Sequence, residues 1–453
     1  MAQTAPVSSG LPNVPFMPLA SDIGQDLRWT SIQAFGEVRA ETERRAAALS
    51  AEDQAVQSMP DASPTKWHRA HTTWFFEQFL LVPHVDGYVP FDDRFAFLFN
   101  SYYVAAGPRH ARPKRGLITR PSVDDVAAYR AHVDAAVERL IADAPAAKLR
   151  DVLKVLEIGL NHEQQHQELI LTDIKHALWS SPMRPAYRAR PAQLSSPATQ
   201  VPDPWDTRSY IWQEFKGGIH QIGHAGQGFA FDNEGPRHEV LLRPFRIASR
   251  AVTSGEWLEF MADGGYRNPA LWLSDGWDAI CAQNWEAPLY WERRDKEWWQ
   301  CTMSGTRRVE ESEPVCHVSY YEADAYARWA GARLPLEAEW EIAADRNPSR
   351  GTMLEDEVFH PRRTRVADSS HALQQMFGDV WEWTASPYVA YPGFRPAPGA
   401  LGEYNGKFMC NQFVLRGGSC ATPSGHIRAT YRNFFPPQAR WQFSGVRLAS
   451  DSD

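Results

Sequence analysis

Apolar positions in the first 180 residues recur at helical spacing. From Ile23 to Leu49, Pro64 to Leu81, Ser122 to Ala144 and Ala146 to Leu178 the pattern predicts four amphipathic helices, which together imply a bundle. In the third, Val126, Tyr129, Val133, Val137 and Leu140 form the apolar stripe, and Ser122 with Asp125 resembles a capping box. Ser63 is placed to cap the second, with Pro64 as its first residue. The fourth is unusual in what its stripe contains. Val155, Ile158, His162, His166 and Leu169 follow a 3, 4, 4, 3 spacing, so two imidazoles sit on an otherwise apolar face and point inward.

The pattern changes after residue 180. Prolines and serines from Ser180 through Val201-Pro-Asp-Pro form a connector that no long helix or central strand could contain. Beyond it tryptophan and glycine become dense, apolar runs shorten and turn signals such as Asp232-Asn-Glu-Gly235 come often, which reads as irregular α+β. Two helices stand out there, Ser254 to Ala262 and Tyr320 to Ala330, and a third can start after Pro335. The expected organisation is a flexible segment over 1–20, a helical bundle over 21–180, a connector over 181–207 and a second domain over 208–450.

Composition narrows the function classes. With 453 residues, 43% hydrophobic and 23% charged, the chain has ample core for two or three domains. A net charge of −8 lacks the basic field that nucleic-acid binding uses. Neither a signal peptide nor an apolar run long enough for a bilayer is visible, so a cytoplasmic location and no membrane partner are expected. The five cysteines are scattered and without CxxC spacing, which favours free thiols over a disulfide framework or a zinc site.

Residues at i and i+4 lie one above the other on a helix, so His162 and His166 can grip one metal ion without bending the backbone. The competing reading is two satisfied polar residues on a half-exposed face. A third histidine weighs against it: His71 lies about two turns into the second predicted helix, sharing a face with Trp67, Trp74 and Gln78, and can meet the pair across the bundle. His68 is a rival on an adjoining face. Three imidazoles with open positions would make a catalytic site, and imidazole alone leaves Zn, Cu, Fe and Ni open. Glu168 points to another face, which suits a supporting role better than ligation.

Six ordered landmarks in the second half resemble the formylglycine-generating-enzyme fold, a C-type-lectin-like architecture. They are Gly217-Gly-Ile-His-Gln-Ile-Gly223, Val252-Thr-Ser-Gly-Glu-Trp257, Pro314-Val-Cys-His-Val-Ser319, Ala332-Arg-Leu-Pro-Leu-Glu-Ala-Glu-Trp340, Gly378-Asp-Val-Trp-Glu-Trp383 and Leu415-Arg-Gly-Gly-Ser419. The front half, with Pro64, Trp67 and His71 and with His162, His166 and Glu168, resembles the DinB-like four-helix bundle joined to this fold in the ergothioneine-biosynthesis sulfoxide synthases. The fold class implied is α followed by α+β. A related ovothiol-pathway synthase usually carries a methyltransferase domain after this pair, and no room for one is seen before Asp453, so ergothioneine chemistry is the preferred expectation.

The resemblance implies mononuclear Fe(II) held by His71, His162 and His166. It implies O2-dependent bond formation between a thiol and the imidazole of hercynine (trimethylhistidine), with oxidation of sulfur to sulfoxide. Tyr102 and Tyr103 resemble adjacent tyrosines that one branch of the family uses as proton donors. The competing reading, core aromatics with buried hydroxyls, stands level for Tyr102 and second for Tyr103. Arg112 and Arg115 match carboxylate-gripping arginines, against the alternative of a solvated basic loop. Gln165 and Asn433 resemble residues that hydrogen-bond hercynine, and Phe434 could offer an aromatic face to its quaternary ammonium. After that asparagine the γ-glutamylcysteine-using mycobacterial branch has a tryptophan and an acidic residue. This chain has Phe434 and Phe435, which points to free cysteine as the thiol.

Other readings keep a place. The same reaction with γ-glutamylcysteine and an ovothiol-type reaction of histidine with cysteine are close variants. A non-catalytic metal or thiol sensor would not need the tyrosines and arginines, and a DinB-like thiol transferase would not explain the second domain. The formylglycine-generating enzyme itself uses paired active-site cysteines, whereas Cys420 follows Gly-Gly-Ser with no partner a few residues on. Cys420 reads as a small buried residue, and Trp340, Trp381 and Trp383 read as core.

Overall fold

The computed structural model describes residues 25–189, 211–364, 373–396, 399–403 and 405–452. The expected flexible segment 1–20 and most of the connector lie outside them. The front half is helical: α1 (Gln25–Ala46), α2 (Thr65–Phe76), the single turns α3 (Val82–His84) and α4 (Phe95–Leu98), α5 (Val123–Asp143) and α6 (Ala146–Ser180). The four long helices lie within a few residues of their predicted bounds. Ser122 and Asp125 do form the reciprocal capping box that starts α5. Ser63 does not cap α2. Its backbone N–H donates to Asp173 Oδ2 at 2.7 Å and its hydroxyl accepts from Arg115, so both of its polar groups are taken by tertiary partners.

The bundle core is aromatic and tight. Phe35, Trp74, Phe75, Phe76, Val126, Tyr129, Val133, Leu149 and Leu156 are buried together. Helices α2 and α6 run antiparallel, and they pack tightly at Gly159, where an added Cβ would fall 2.3 Å from the Phe76 ring. A glycine inside a helix costs about 1 kcal/mol against alanine; here it lets Phe76 lie against the α6 backbone. On the other side of α6, Glu163 is fully buried between Arg39 (2.9 Å) and Arg130 (3.0 Å). Burial alone would raise its carboxyl, but the two guanidinium charges prevail and hold it below the ordinary range. Gln167 Nε2 donates to Val38 O at 2.9 Å, which ties α6 to α1.

The second half is built from short strands. In chain order β1 (Trp212–Phe215), β2 (Gly218–Ile222), β3 (His238–Leu242) and β4 (Phe245–Ala248) precede α7 (Ser254–Ala262) and α8 (Ser274–Gln283). The antiparallel meander β5 (Trp291–Arg294), β6 (Glu297–Thr302) and β7 (Gly305–Arg308) leads to α9 (Tyr320–Trp329) and α10 (Glu337–Arg346). Then come β8 (Trp381–Pro387), β9 (Phe413–Arg416), β10 (Asn433–Phe435), β11 (Ser444–Gly445) and β12 (Ala449–Asp451). One sheet has the order β10-β9-β8-β11 and another the order β1-β4-β12. Three of these helices match expectation. The fourth, α8, was not predicted: its apolar face is thin, and Gly276 in its first turn hides the periodicity. Trp340 and Trp383 are core as expected, and Cys420 is fully buried.

The second domain docks along α6. Glu168 accepts from Trp381 Nε1 (2.8 Å), Ser419 Oγ (2.5 Å) and Thr422 Oγ1 (2.6 Å). Gly417 and Gly418, with φ of 98° and 81°, make the left-handed turn after β9 that delivers Ser419 to this carboxylate. Further along α6, Asp173 accepts from Trp441 Nε1 at 3.2 Å and Lys175 Nζ donates to His317 Nε2 at 2.6 Å.

Gly159→Ala is expected to lower stability by about 1–3 kcal/mol, because overpacking at the Phe76 contact must push α2 from α6. Urea unfolding checks this. The midpoint should fall with an unchanged slope, and an unshifted midpoint would mean the two helices can part without cost.

Candidate metal centre

His71 from α2 and His162 and His166 from α6 each bring a ring nitrogen to within 4.8 Å of the other two. All three are buried, with ring centroids 5.0, 4.8 and 4.6 Å apart. The expected three-histidine cluster therefore forms across the α2–α6 contact. Burial is the main cause that lowers each ring: His162 to about 3, His71 and His166 well below the usual range, the last two also pressed down by His162. At neutral pH the three imidazoles are uncharged, which is the state that ligates metals.

Hydrogen bonds fix which nitrogens face inward. His71 Nδ1 lies 2.6 Å from Phe99 O. A carbonyl only accepts, so Nδ1 carries the proton and Nε2 offers a lone pair. That Nε2 is buried and has no hydrogen-bond partner, the signature of an atom kept for a ligand. For His166 the logic passes through a second ring. Asp173 Oδ2 accepts from His68 Nε2 at 3.1 Å, so His68 Nδ1 must accept from His166 Nδ1–H at 2.8 Å, and His166 Nε2 is left for the centre. His68 thus supports His166 and is not itself one of the three clustered histidines. The donor set fits a divalent d-block ion, and the imidazoles by themselves do not choose among Zn, Cu, Fe and Ni.

Trp67 stacks on His71 at 4.5 Å between centroids and His71 on Trp74 at 5.5 Å, which holds the ring plane. Arg115 covers the outer face of Trp67 at 3.4 Å and donates to Ser63 Oγ (2.9 Å) and Ser101 Oγ (3.1 Å). It is buried beneath the site. Burial and the charge of Arg112 both work against its protonation, yet a guanidinium keeps its proton in a protein.

The cluster opens into a cavity of about 300 Å³ between the domains. From the bundle Tyr102, Arg112, His162, Gln165 and His166 line it; from the second domain Asn433, Phe434 and Phe435 do, all three on β10. Of the predicted site residues, His71, Tyr103 and Arg115 stand behind the wall. Tyr103 is fully buried against Trp74 (5.6 Å) and Phe79 (5.0 Å), and its hydroxyl is 3.4 Å from that of Tyr102. Burial, then Tyr103, raises Tyr102 well above the ordinary phenol value, so its hydroxyl holds its proton. The tyrosine segment is braced from the other domain: Glu403 accepts from the N–H groups of Val104 (2.8 Å) and Ala105 (3.0 Å), and Lys407 donates to Tyr102 O at 3.0 Å. Arg112 donates to Asp61 O.

Sequence reading missed several residues of this site. Trp381 is buried in the core as expected, and what was missed is that it also lines the cavity and holds Glu168. Asp173 had a legible signal, being seven residues past His166 on the same helix face. His426, Tyr431 and Trp441 had none, because only the docking of the domains brings them to the wall.

His71→Ala is expected to abolish tight metal binding, and His68→Ala to weaken it by about 10- to 100-fold through loss of the second-ring support. Competition with a chromophoric chelator measures both. Removing bound metal from the parent should lower its thermal midpoint, since a ligand that binds the folded state stabilises it; equal metal affinity in His68→Ala and parent would contradict the assigned support.

Comparison with known proteins agrees with this two-part architecture. The family model for the sulfatase-modifying factor enzyme 1-like domain matches residues 214–361 and 358–452, and that for the DinB superfamily matches residues 34–170. Hercynine oxygenase of Mycobacterium tuberculosis is 33% identical over 317 residues, covering 66% of this chain and 71% of that protein. The hercynine oxygenase of Mycolicibacterium thermoresistibile is 37% identical over 255 residues, and there the chain spans 56% of the relative's length. The formylglycine-generating enzyme of Streptomyces coelicolor is 28% identical over 312 residues, covering 59% of this chain. With both domains matched in order and the first of these relatives covered over most of its length, the chain belongs to the hercynine oxygenase family of sulfoxide synthases.

Proposed function

We propose that the protein is an Fe(II)-dependent sulfoxide synthase that joins the imidazole carbon of hercynine to the sulfur of free cysteine, using O2. The observation that carries this reading is the convergence of the three-histidine cluster, a protonated tyrosine, an arginine and an amide-bearing wall on one cavity. His71, His162 and His166 would hold the iron, which when bound would supply the redox chemistry with O2 and binding sites for thiolate and imidazole.

The remaining roles belong to side chains of the chain itself. Of the two cavity guanidinium groups Arg432 is taken by Glu337, and Arg112 would take the cysteine carboxylate through its fork of N–H donors. Arg115 would act through Trp67, by steadying the stack on His71, and not on the substrate directly. Gln165 and Asn433 supply the amide groups for hercynine. Phe434, stacked on Tyr388 at 4.0 Å, keeps an aromatic surface on the cavity where a quaternary ammonium can rest. Tyr102 is the proton donor at its hydroxyl oxygen, with Tyr103 behind it in position to reprotonate it. Phe435 lies edge-on to Trp441 at 5.5 Å, so β10 offers an apolar surface and no carboxylate to the amino group of a longer thiol. That supports cysteine over γ-glutamylcysteine.

Anaerobic reconstitution with Fe(II), then O2 and hercynine with either thiol, tests the reading by mass analysis of products. Hercynylcysteine sulfoxide is expected with cysteine. Product with γ-glutamylcysteine alone would overturn the thiol assignment, and no sulfoxide with either would overturn the reaction. Tyr102→Phe should slow sulfoxide formation by about 10²- to 10⁴-fold, the usual range for losing a general acid, while substrate binding changes little.

A further inference from the structure

Along the cavity wall runs a chain of four side chains that crosses between the domains, of which Gln165, His426 and Tyr431 line the cavity. Asn161 Nδ2 lies 3.0 Å from Glu157 O, Asn161 Oδ1 lies 3.1 Å from His426 Nδ1, His426 Nε2 lies 3.1 Å from the Tyr431 hydroxyl, and that hydroxyl lies 2.5 Å from Gln165 Nε2. His426 and Tyr431 are buried, and the Tyr431 ring is packed by Trp381 at 5.5 Å and edge-on by Phe231 at 5.8 Å.

The direction of every hydrogen bond in this chain follows from its first member. The Glu157 carbonyl can only accept, so the Asn161 group facing it is the amide nitrogen, and Oδ1 faces His426. His426 Nδ1 must then donate. Burial, reinforced by the charge of Arg428, keeps this ring well below the usual histidine range, so it has one proton and Nε2 is an acceptor. Tyr431 therefore donates to His426, and its oxygen is left to accept from Gln165 Nε2. No donor among the described residues reaches Gln165 Oε1.

We infer that the Asn161–His426–Tyr431 chain fixes the amide of Gln165 so that Oε1 faces the cavity as a hydrogen-bond acceptor, and that this acceptor selects an azole ligand carrying a ring N–H. The inference rests on the reading of this cavity as the hercynine site and sharpens it. A neutral imidazole has one nitrogen with a lone pair and one with a proton. A wall acceptor three residues after His162 and one before His166 rewards the ring that keeps its N–H while its other nitrogen turns to the centre. Asn161, His426 and Tyr431 are positioning residues here, because the chain of hydrogen bonds through them sets the orientation of the Gln165 amide. If the amide were free to turn over, its NH2 group would meet the ring N–H, donor against donor.

The test compares imidazole with 1-methylimidazole as ligands of the full-length, anaerobically Fe(II)-loaded protein, which makes the readout independent of turnover. The parent should prefer imidazole, and Tyr431→Phe, which removes the oxygen holding Gln165 Nε2, should shrink that preference by about tenfold, the worth of one hydrogen bond of ordinary strength. His426→Phe, which removes the acceptor for the Tyr431 proton, should shrink it in the same direction. Metal content should be unchanged in both, and KM for hercynine should rise more than kcat falls. An imidazole preference undiminished in both variants would overturn the inference, as would a preference lost only together with bound metal. If the preference behaves as expected but the parent makes no sulfoxide from hercynine, the reaction assigned above fails and the polarised amide stands.

Discussion

The close approach of α2 and α6 is the contact on which the rest of the molecule depends. Gly159 lets the Phe76 ring sit against the α6 backbone, and one turn further the same antiparallel contact carries His71 to His162 and His166. Ligand geometry tolerates little spread, so a separation that any larger residue at 159 would widen is also the separation that makes three nitrogens converge. The stacked rings Trp67, His71 and Trp74 then hold the α2 side of the contact in one rotamer. Packing fixes the centre here, and hydrogen bonds only choose which nitrogen His71 and His166 present.

Helix α6 serves the two domains at once. Its metal face looks to α2, its Glu163 face is locked between Arg39 and Arg130, and its Gln165 and Glu168 face receives the second domain. Glu168 shows what docking requires. Its carboxylate is buried with no cation beside it among the described residues, and burial pushes its proton affinity up, but three donors from the second domain offset part of that cost. The landmark Gly-Gly-Ser loop after β9 therefore has a physical reason: it is the turn that aims Ser419 at α6.

Much of this was legible in the sequence because helical periodicity is local. The four long helices and the histidine pair follow from spacing, the choice of His71 over His68 rests on helix geometry together with the family pattern, and the order of motifs in the second half identified its fold. What stayed hidden depended on tertiary competition. Ser63 has the composition of a cap, yet Asp173 and Arg115 outbid the helix end for its polar groups. Arg112 and Arg115 look equivalent as a pair three residues apart, but one lines the cavity and the other lies under an indole ring. Tyr102 and Tyr103 look equivalent too, and alternation of neighbouring side chains sends one to the cavity and the other into the core. His426 and Tyr431, more than 250 residues from Gln165, carry no spacing signal at all.

The stretch from Asn161 to Glu168 has a consequence for how this protein can change over time. Apart from Gln164, each of its residues has a fixed assignment: His426, the metal cluster, the two bundle arginines, Tyr431, the cluster again, the Val38 carbonyl and the second-domain hydroxyls. Two turns of helix are thus committed on every side, and drift there is closed off. Diversification toward new thiols has to be written elsewhere, on β10 and the Arg112 loop, where Phe434 and Phe435 meet neighbouring rings and Arg112 a carbonyl, and none of them touches the histidine cluster.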